Sequence, residues 1–124
     1  MAAAIRQFED FIAWRKAREL AVSIYHVSGE GSFARDFGLR DQIRRAAVSI
    51  PSNIVEGCTR RSQSDYVRFL EIALGSACEA DYLIGLSRRL GLLSEAGEQR
   101  CKELSVGTAR MLQKLIAALD RPRA

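Results

Sequence analysis

Histidine is nearly absent: His26 is the single one in 124 residues. That scarcity removes most of the side-chain constellations by which proteins do chemistry. A di-iron bundle needs Glu-x-x-His on two helices, and neither copy exists. Zinc sites, Cys–His nucleophile pairs and Ser–His–Asp triads lack their parts. No catalytic, cofactor-binding or metal-binding residue is therefore expected, and the chain reads as non-enzymatic. His26, close to the end of a helical segment, reads as a helix-end cation or loop contact. The three cysteines, Cys58, Cys78 and Cys101, are an odd set without CxxC spacing, which excludes a disulfide framework and reads as reduced, partly buried small hydrophobes. Gly29 and Gly31 follow a helix, not a strand, and lack GxGxxG or Walker spacing, so no nucleotide loop is expected. The apolar runs are far shorter than a bilayer span, and Met1 to Ile5 is too short and too weakly charged for a signal peptide. A cytoplasmic protein without membrane contact follows as the expectation.

Strand-like alternation with turn chemistry is also missing. What is present is helical period, in a chain that is 48% hydrophobic and of a size for one domain over residues 1–124. The first periodic segment runs from about Phe8 to Val27, with Phe11, Trp14, Ala17, Leu20, Ala21, Ile24 and Tyr25 at three- and four-residue steps. Ser28, Gly29, Gly31 and Ser32 end it. The second runs from about Asp36 to Arg60 and the third from about Ser64 to Leu90, entered through Ser62 and Asp65, which resemble a capping box. Gly91 reads as a residue just past a helix end, with Leu92 and Leu93 free to pack against that end. Ser94, Glu95 and Glu98 open a fourth segment, with Leu104, Met111, Leu112, Leu115 and Leu119 as its stripe and Pro122 as its stop. Four long amphipathic segments with short connections predict an all-α, antiparallel, up-down-up-down four-helix bundle.

The second segment carries more than a core stripe. At 100° per residue, Leu39, Ile43, Ala46, Ile50, Ile54 and Gly57 share one face. Pro51 falls inside the segment, where it removes one hydrogen bond, yet Ile50 and Ile54 hold the phase across it; a single proline-kinked helix is predicted. Along its border run Gln42, Ser49, Asn53, Glu56 and Arg60. Nothing there activates a nucleophile. We read Ser49, Asn53, Glu56 and Arg60 as a structural polar network: Ser49 bonding a carbonyl freed by Pro51, Asn53 bridging helices, and Glu56 pairing with Arg60. Val48, Pro51 and Val55 lie away from the core face and are expected to form an oligomer interface.

Net charge is +4 and arginine heavily outnumbers lysine, a balance compatible with nucleic acid. The candidate nucleic-acid contacts are the pairs Arg44-Arg45, Arg60-Arg61 and Arg88-Arg89, together with Arg68, with Arg35 and Arg40 nearby. Adjacent helical residues diverge by 100°, so each pair spreads its charge over different surfaces. A monomer would present a diffuse positive field, which a ring would gather.

The run QIRRAAVSIPSNIVEGCTRRS, followed by DYVRFLEIALGSACEADYLIGLSRRLGLL, resembles bacterial four-helix-bundle proteins first noticed as reading frames inside intervening sequences of ribosomal RNA genes. These include the accessory protein of diversity-generating retroelements. The resemblance spans nearly the whole chain, from Phe11 and Trp14 through Phe37-Gly38-Leu39 to the fourth segment. Its pattern falls on Arg44, Arg45, Ser49, Pro51, Asn53, Glu56, Gly57, Arg60, Gly75, Ser76 and Glu79. Ala34, where proline is usual, and Asp36, where glutamate is usual, depart from it at a loop and a helix start. The resemblance implies an antiparallel bundle that assembles as a ring, commonly a homopentamer, and no known enzymatic activity. For the retroelement members it implies contact with nucleic acid and with a nucleic-acid-processing protein, a reverse transcriptase. Two expectations stand: a ring-forming bundle that holds RNA or DNA through gathered arginines, and a protein-binding scaffold without direct nucleic-acid contact.

Overall fold

The computed structural model describes residues 8–119; Met1 to Ile5 and Pro122, which figure above, lie outside them. Five helices follow one another: α1 (Phe8–Ser28), α2 (Gly31–Arg35), α3 (Phe37–Cys58), α4 (Gln63–Arg89) and α5 (Glu95–Leu119). Around the bundle the order is α1, α3, α4, α5 and back to α1, and the diagonal pairs make no close backbone approach. The four long helices form the antiparallel four-helix bundle that the periodicity predicts.

Local chemistry sets the ends. The Asp36 carboxylate accepts from the Leu39 amide at 3.2 Å, Ser62 Oγ from Asp65 at 3.0 Å and Ser94 Oγ from Gly97 at 3.0 Å, each occupying an otherwise unpaired amide of a first turn. At the other end of α4, Gly91 takes φ 76°, and the amides of Gly91 and Leu92 reach back to the carbonyls of Arg88 and Ser87. That pair of bonds is a Schellman cap, and buried Leu93 follows it into the core. α3 stays helical across Pro51, with Ile50 and Ile54 both fully buried on either side.

Two stripes sit where the periodicity did not centre them. In α1 the fully buried hydrophobic residues are Ala13, Ala17, Leu20 and Ile24, while Phe11 and Tyr25 are exposed. Alanines take the tightest positions, and the aromatic rings are left at the flanks. In α5 the buried line is Cys101, Ser105, Thr108, Leu112 and Leu115, with Leu104, Met111 and Leu119 only partly covered. Ser105 and Thr108 tolerate burial because each hydroxyl bonds a carbonyl of its own helix, at 3.2 and 2.7 Å. The short α2 lies in what the periodicity treats as a connection. Gly31, at φ 56°, starts it, and fully buried Phe33 pins it to the core.

α4 meets α3 and α5 through fully buried Ala73, Ala77 and Ala80, which allow close helix approach. From the same helix Tyr66 crosses the bundle, and its hydroxyl donates to the buried carboxylate of Asp10 on α1. At Gly57 α3 and α4 come close: a Cβ there would stand 2.9 Å from Phe69 Cβ and 3.1 Å from Tyr66 Cδ1. Gly57→Ala gains about 1 kcal/mol of helix propensity but forces an overpacking that typically costs 1–3 kcal/mol. It is expected to lower Tm by several degrees. Gly38→Ala, where an added Cβ meets nothing within 4 Å, is expected to raise it. Thermal unfolding at matched concentration checks both, and shifts of the same sign would refute the steric account.

Candidate functional site

The outward side of α3 is flanked by α1 and α4, and two shallow grooves run along it. One, of about 540 Å³, is lined by Tyr25, Asp41, Arg44, Arg45, Val48 and Ser49. The other, of about 290 Å³, is lined by Gln42, Arg45, Ala46, Ser49, Ser76 and Glu79. Arg45 and Ser49 belong to both, so α3 forms the ridge between them.

The polar stripe lies along the seam of α3 and α4. Gln42 Nε2 donates to Glu79 Oε2 at 3.3 Å, and the hydroxyls of Ser49 and Ser76 meet at 2.8 Å. Asn53 donates its amide to the carbonyl and hydroxyl of Ser49, at 2.7 and 3.0 Å. Roles expected of the two residues are exchanged: Ser49 is the one that bridges helices, and Asn53 is the one that takes a carbonyl of its own helix. Arg60 pairs with Glu56 at 2.8 Å and lays its guanidinium over the Phe69 ring at 4.6 Å.

The seven candidate arginines divide by what they already hold. Arg44 Nε donates to buried Ser28 Oγ at 2.8 Å and its terminal nitrogen to the Tyr25 carbonyl at 3.2 Å, with the guanidinium over the Tyr25 ring at 4.3 Å. It closes the C-terminal end of α1. Arg68 also lies over the Phe69 ring, at 4.9 Å, and 4.0 Å from Asp65, and Arg88 reaches Glu98 at 3.6 Å. Arg45, Arg61 and Arg89 are exposed and make no hydrogen bond or ion pair with the described residues. The structure does not bring the seven together. Antiparallel packing places Arg44, Arg45, Arg88 and Arg89 toward one end of the bundle and Arg60, Arg61 and Arg68 at the other. Along α3, the thirteen positions from Arg45 to Cys58, two residues before Arg60, correspond to roughly 20 Å.

Val48 and Val55 are 40% and 38% exposed, and Pro51 is partly covered. The contact of Arg44 with Tyr25 fixes the antiparallel register of α1 on α3. Exposed Tyr25 of α1 lines the same groove as Val48, which widens the apolar strip.

A family model for the 23S rRNA-intervening sequence protein matches residues 9–114. The chain belongs to this family. A crystal structure of a protein with unknown function from the S23 ribosomal protein family of Bacteroides thetaiotaomicron has the same fold, with a TM-score of 0.82 and 26% sequence identity. The match covers 89% of this chain and 99% of that one. Comparison with curated proteins finds no match.

For a member of the 23S rRNA-intervening sequence protein family, the described residues offer little that is reactive. No group of His, Cys, Asp and Glu among them could hold a metal ion, and none of the described helices is long and apolar enough to cross a membrane. Burial pushes the Cys101 thiol above the ordinary range, against a smaller downward pull from Arg100, which keeps it protonated and inert. Cys58 is buried as well, and only Cys78 is exposed among the three thiols.

Neighbouring arginines are thus expected to respond differently to the same change. Arg44→Met keeps the aliphatic stem but withdraws the donor from buried Ser28, and should destabilise by about 1–3 kcal/mol. Arg45→Met should stay within about 0.5 kcal/mol of the parent. Urea unfolding at matched concentration measures both, and equal losses would show that the two side chains do not divide as described.

Proposed function

We propose that this protein is a cytoplasmic, non-enzymatic, ring-forming bundle that binds RNA through arginines which only assembly brings together. The observation that carries the reading is the position of Arg45, Arg61 and Arg89. Each is exposed and without an ion pair among the described residues, and they sit toward opposite ends of one small bundle. One copy therefore offers separated single charges. Several copies around an axis offer rows of them, and an extended polyanion can then release counterions at many phosphates together. The family's name supports ribosomal RNA, or RNA like it, as the nucleic acid.

A closed ring with cyclic symmetry needs two different patches on each copy, one meeting the other on the next. The strip of Val48, Pro51 and Val55, widened by Tyr25, supplies the first. A candidate for the second is the outer side of α4, where exposed Ile72 stands near Gly75. A Cβ at Gly75 would meet nothing within 4 Å in the single chain, so its small size serves no intramolecular contact and leaves room for a neighbour. The resemblance set out above supports five copies.

Val48→Glu with Val55→Glu is expected to dissociate the assembly while far-UV circular dichroism keeps its helical signal. A parent protein that runs only as monomer in native mass spectrometry at micromolar concentration would refute the ring. RNA binding should be in the low-micromolar range or tighter, and should weaken steeply with salt. Each phosphate neutralised adds about −0.7 to the slope of log K against log salt on single strands and −0.9 on duplex DNA. Arg45→Gln, Arg61→Gln and Arg89→Gln together should give a distinctly shallower slope with the oligomer intact. No binding of RNA or DNA at about 50 mM salt by the intact oligomer would favour the protein-scaffold reading instead.

A further inference from the structure

On the side of the bundle opposite the α1/α3 strip, α4 and α5 enclose a groove of about 550 Å³, lined in part by Cys78, Asp81, Tyr82, Gly85, Arg89 and Lys102. Assembly through the α1/α3 strip and through α4 at Ile72 and Gly75 leaves this groove open, because Tyr82 lies seven positions, about 10 Å, beyond Gly75 along the same helix. Tyr82 is 66% exposed, the most of any large hydrophobic side chain among the described residues, so its ring adds little to the core. Arg89 follows two turns later on the same helix. Seven positions are about 10 Å of rise and return to within about 20° of the same azimuth, so ring and guanidinium stand in line along the groove. Between them Gly85 leaves the floor open: a Cβ there would find only the end of the Lys102 side chain, at 3.6 and 3.9 Å.

The charges of the groove are arranged for an anion. Asp81 is met by Lys102 Nζ at 3.1 Å and by Ser105 Oγ at 2.8 Å, and Glu98, also in the lining, is met by Arg88 at 3.6 Å. Both carboxylates are thereby countered from within the chain. Lys102 uses two of its three donors on Asp81, one on the carboxylate and one on the carbonyl, both at 3.1 Å. Arg89 is the cation of the groove that no described acid holds.

We infer that this groove binds single-stranded RNA, with a base stacked on Tyr82 and a neighbouring phosphate held by Arg89; the inference rests on the RNA-binding reading above. An exposed ring with a guanidinium beside it suits any base whose face is free, with little sequence preference. A duplex keeps its base faces stacked and cannot offer one to Tyr82. Positive charge elsewhere on the ring would hold duplex and single strand alike, so a preference for single strands comes from this groove.

The test uses the full-length assembled protein, a short fluorescein-labelled oligouridylate and a blunt RNA duplex, followed by anisotropy at about 50 mM salt. Tyr82→Ala is expected to weaken oligouridylate binding about tenfold and to leave the duplex affinity nearly unchanged, while Tyr82→Phe keeps the parent affinity. Arg89→Gln should weaken binding and make the salt slope shallower by about 0.7 for each groove occupied. Oligouridylate should also slow alkylation of Cys78 by iodoacetamide. If the parent binds RNA and Tyr82→Ala binds it equally well, the groove assignment is overturned and the wider RNA-binding reading stands. Equal losses in Tyr82→Phe and Tyr82→Ala, or equal losses on single strand and duplex, overturn stacking. A parent protein that binds neither probe overturns both readings.

Discussion

The separation of α3 and α4 is set by what is small on their facing surfaces, and most of the polar architecture follows from it. Gly57 lies against Phe69 and Tyr66 with no room for a methyl group. Ala46 and Ala47 on one helix, and Ala73, Ala77 and Ala80 on the other, extend small-sided packing along the pair. Only helices this close let two serine hydroxyls meet directly, as Ser49 and Ser76 do, and let a short glutamine reach Glu79. The same approach brings Arg60, which is held to Glu56 on its own side, over the Phe69 ring. A half-buried hydrogen bond of this kind contributes modestly to stability, on the order of 1 kcal/mol. Its larger effect is on register, because sliding either helix by one residue would separate the pairs.

Arginine does two kinds of work here, and neighbours in sequence are divided between them. Guanidinium offers five donors in a plane, which suits Arg44 to a hydroxyl, a carbonyl and an aromatic face at once. One position further, the 100° turn carries Arg45 out to the ridge between two grooves. The same split recurs where Arg60 is held by Glu56 and Phe69 while Arg61 is not, and where Arg88 reaches Glu98 while Arg89 faces solvent. Each arginine pair is therefore one anchor and one spare charge, a division that adjacent placement on or at the end of a helix produces without further design.

Much of this was legible in the residues. The core of α3 was, because Ile43, Ala46, Ile50 and Ile54 keep helical period strongly enough to outweigh Pro51. The caps at Ser62, Gly91 and Ser94 were, because each depends on bonds within a few residues. The line of α1 was misplaced toward Phe11 and Tyr25, since large rings dominate a hydrophobicity reading while the tightest seats go to alanine. In α5 the line passes through Ser105 and Thr108, whose burial depends on hydrogen bonds that period does not reveal. α2 stayed hidden because Phe33 is its one buried side chain. Within the site, the stripe itself was legible and its bonding was not: Ser76 is 27 positions from Ser49, and which hydroxyl bridges is decided by helix separation. The role of Arg44 depends on the end of a different helix, and that of Tyr82 on a groove shared with α5.

The order of helices around the bundle has a kinetic consequence. α1 packs on α3, α3 on α4 and α4 on α5, each through a short connection, so those contacts close small loops. The seam between α1 and α5 joins the two ends of the described chain, and closing it must overcome the entropy of nearly all the intervening residues, a penalty that grows with the logarithm of loop length. Tyr66, reaching from α4 across to Asp10 on α1, gives that closure a buried polar landmark. It allows one depth of insertion. A helix docked a turn too high or too low would leave a carboxylate in the core facing hydrocarbon, so the last step of folding carries its own check on alignment.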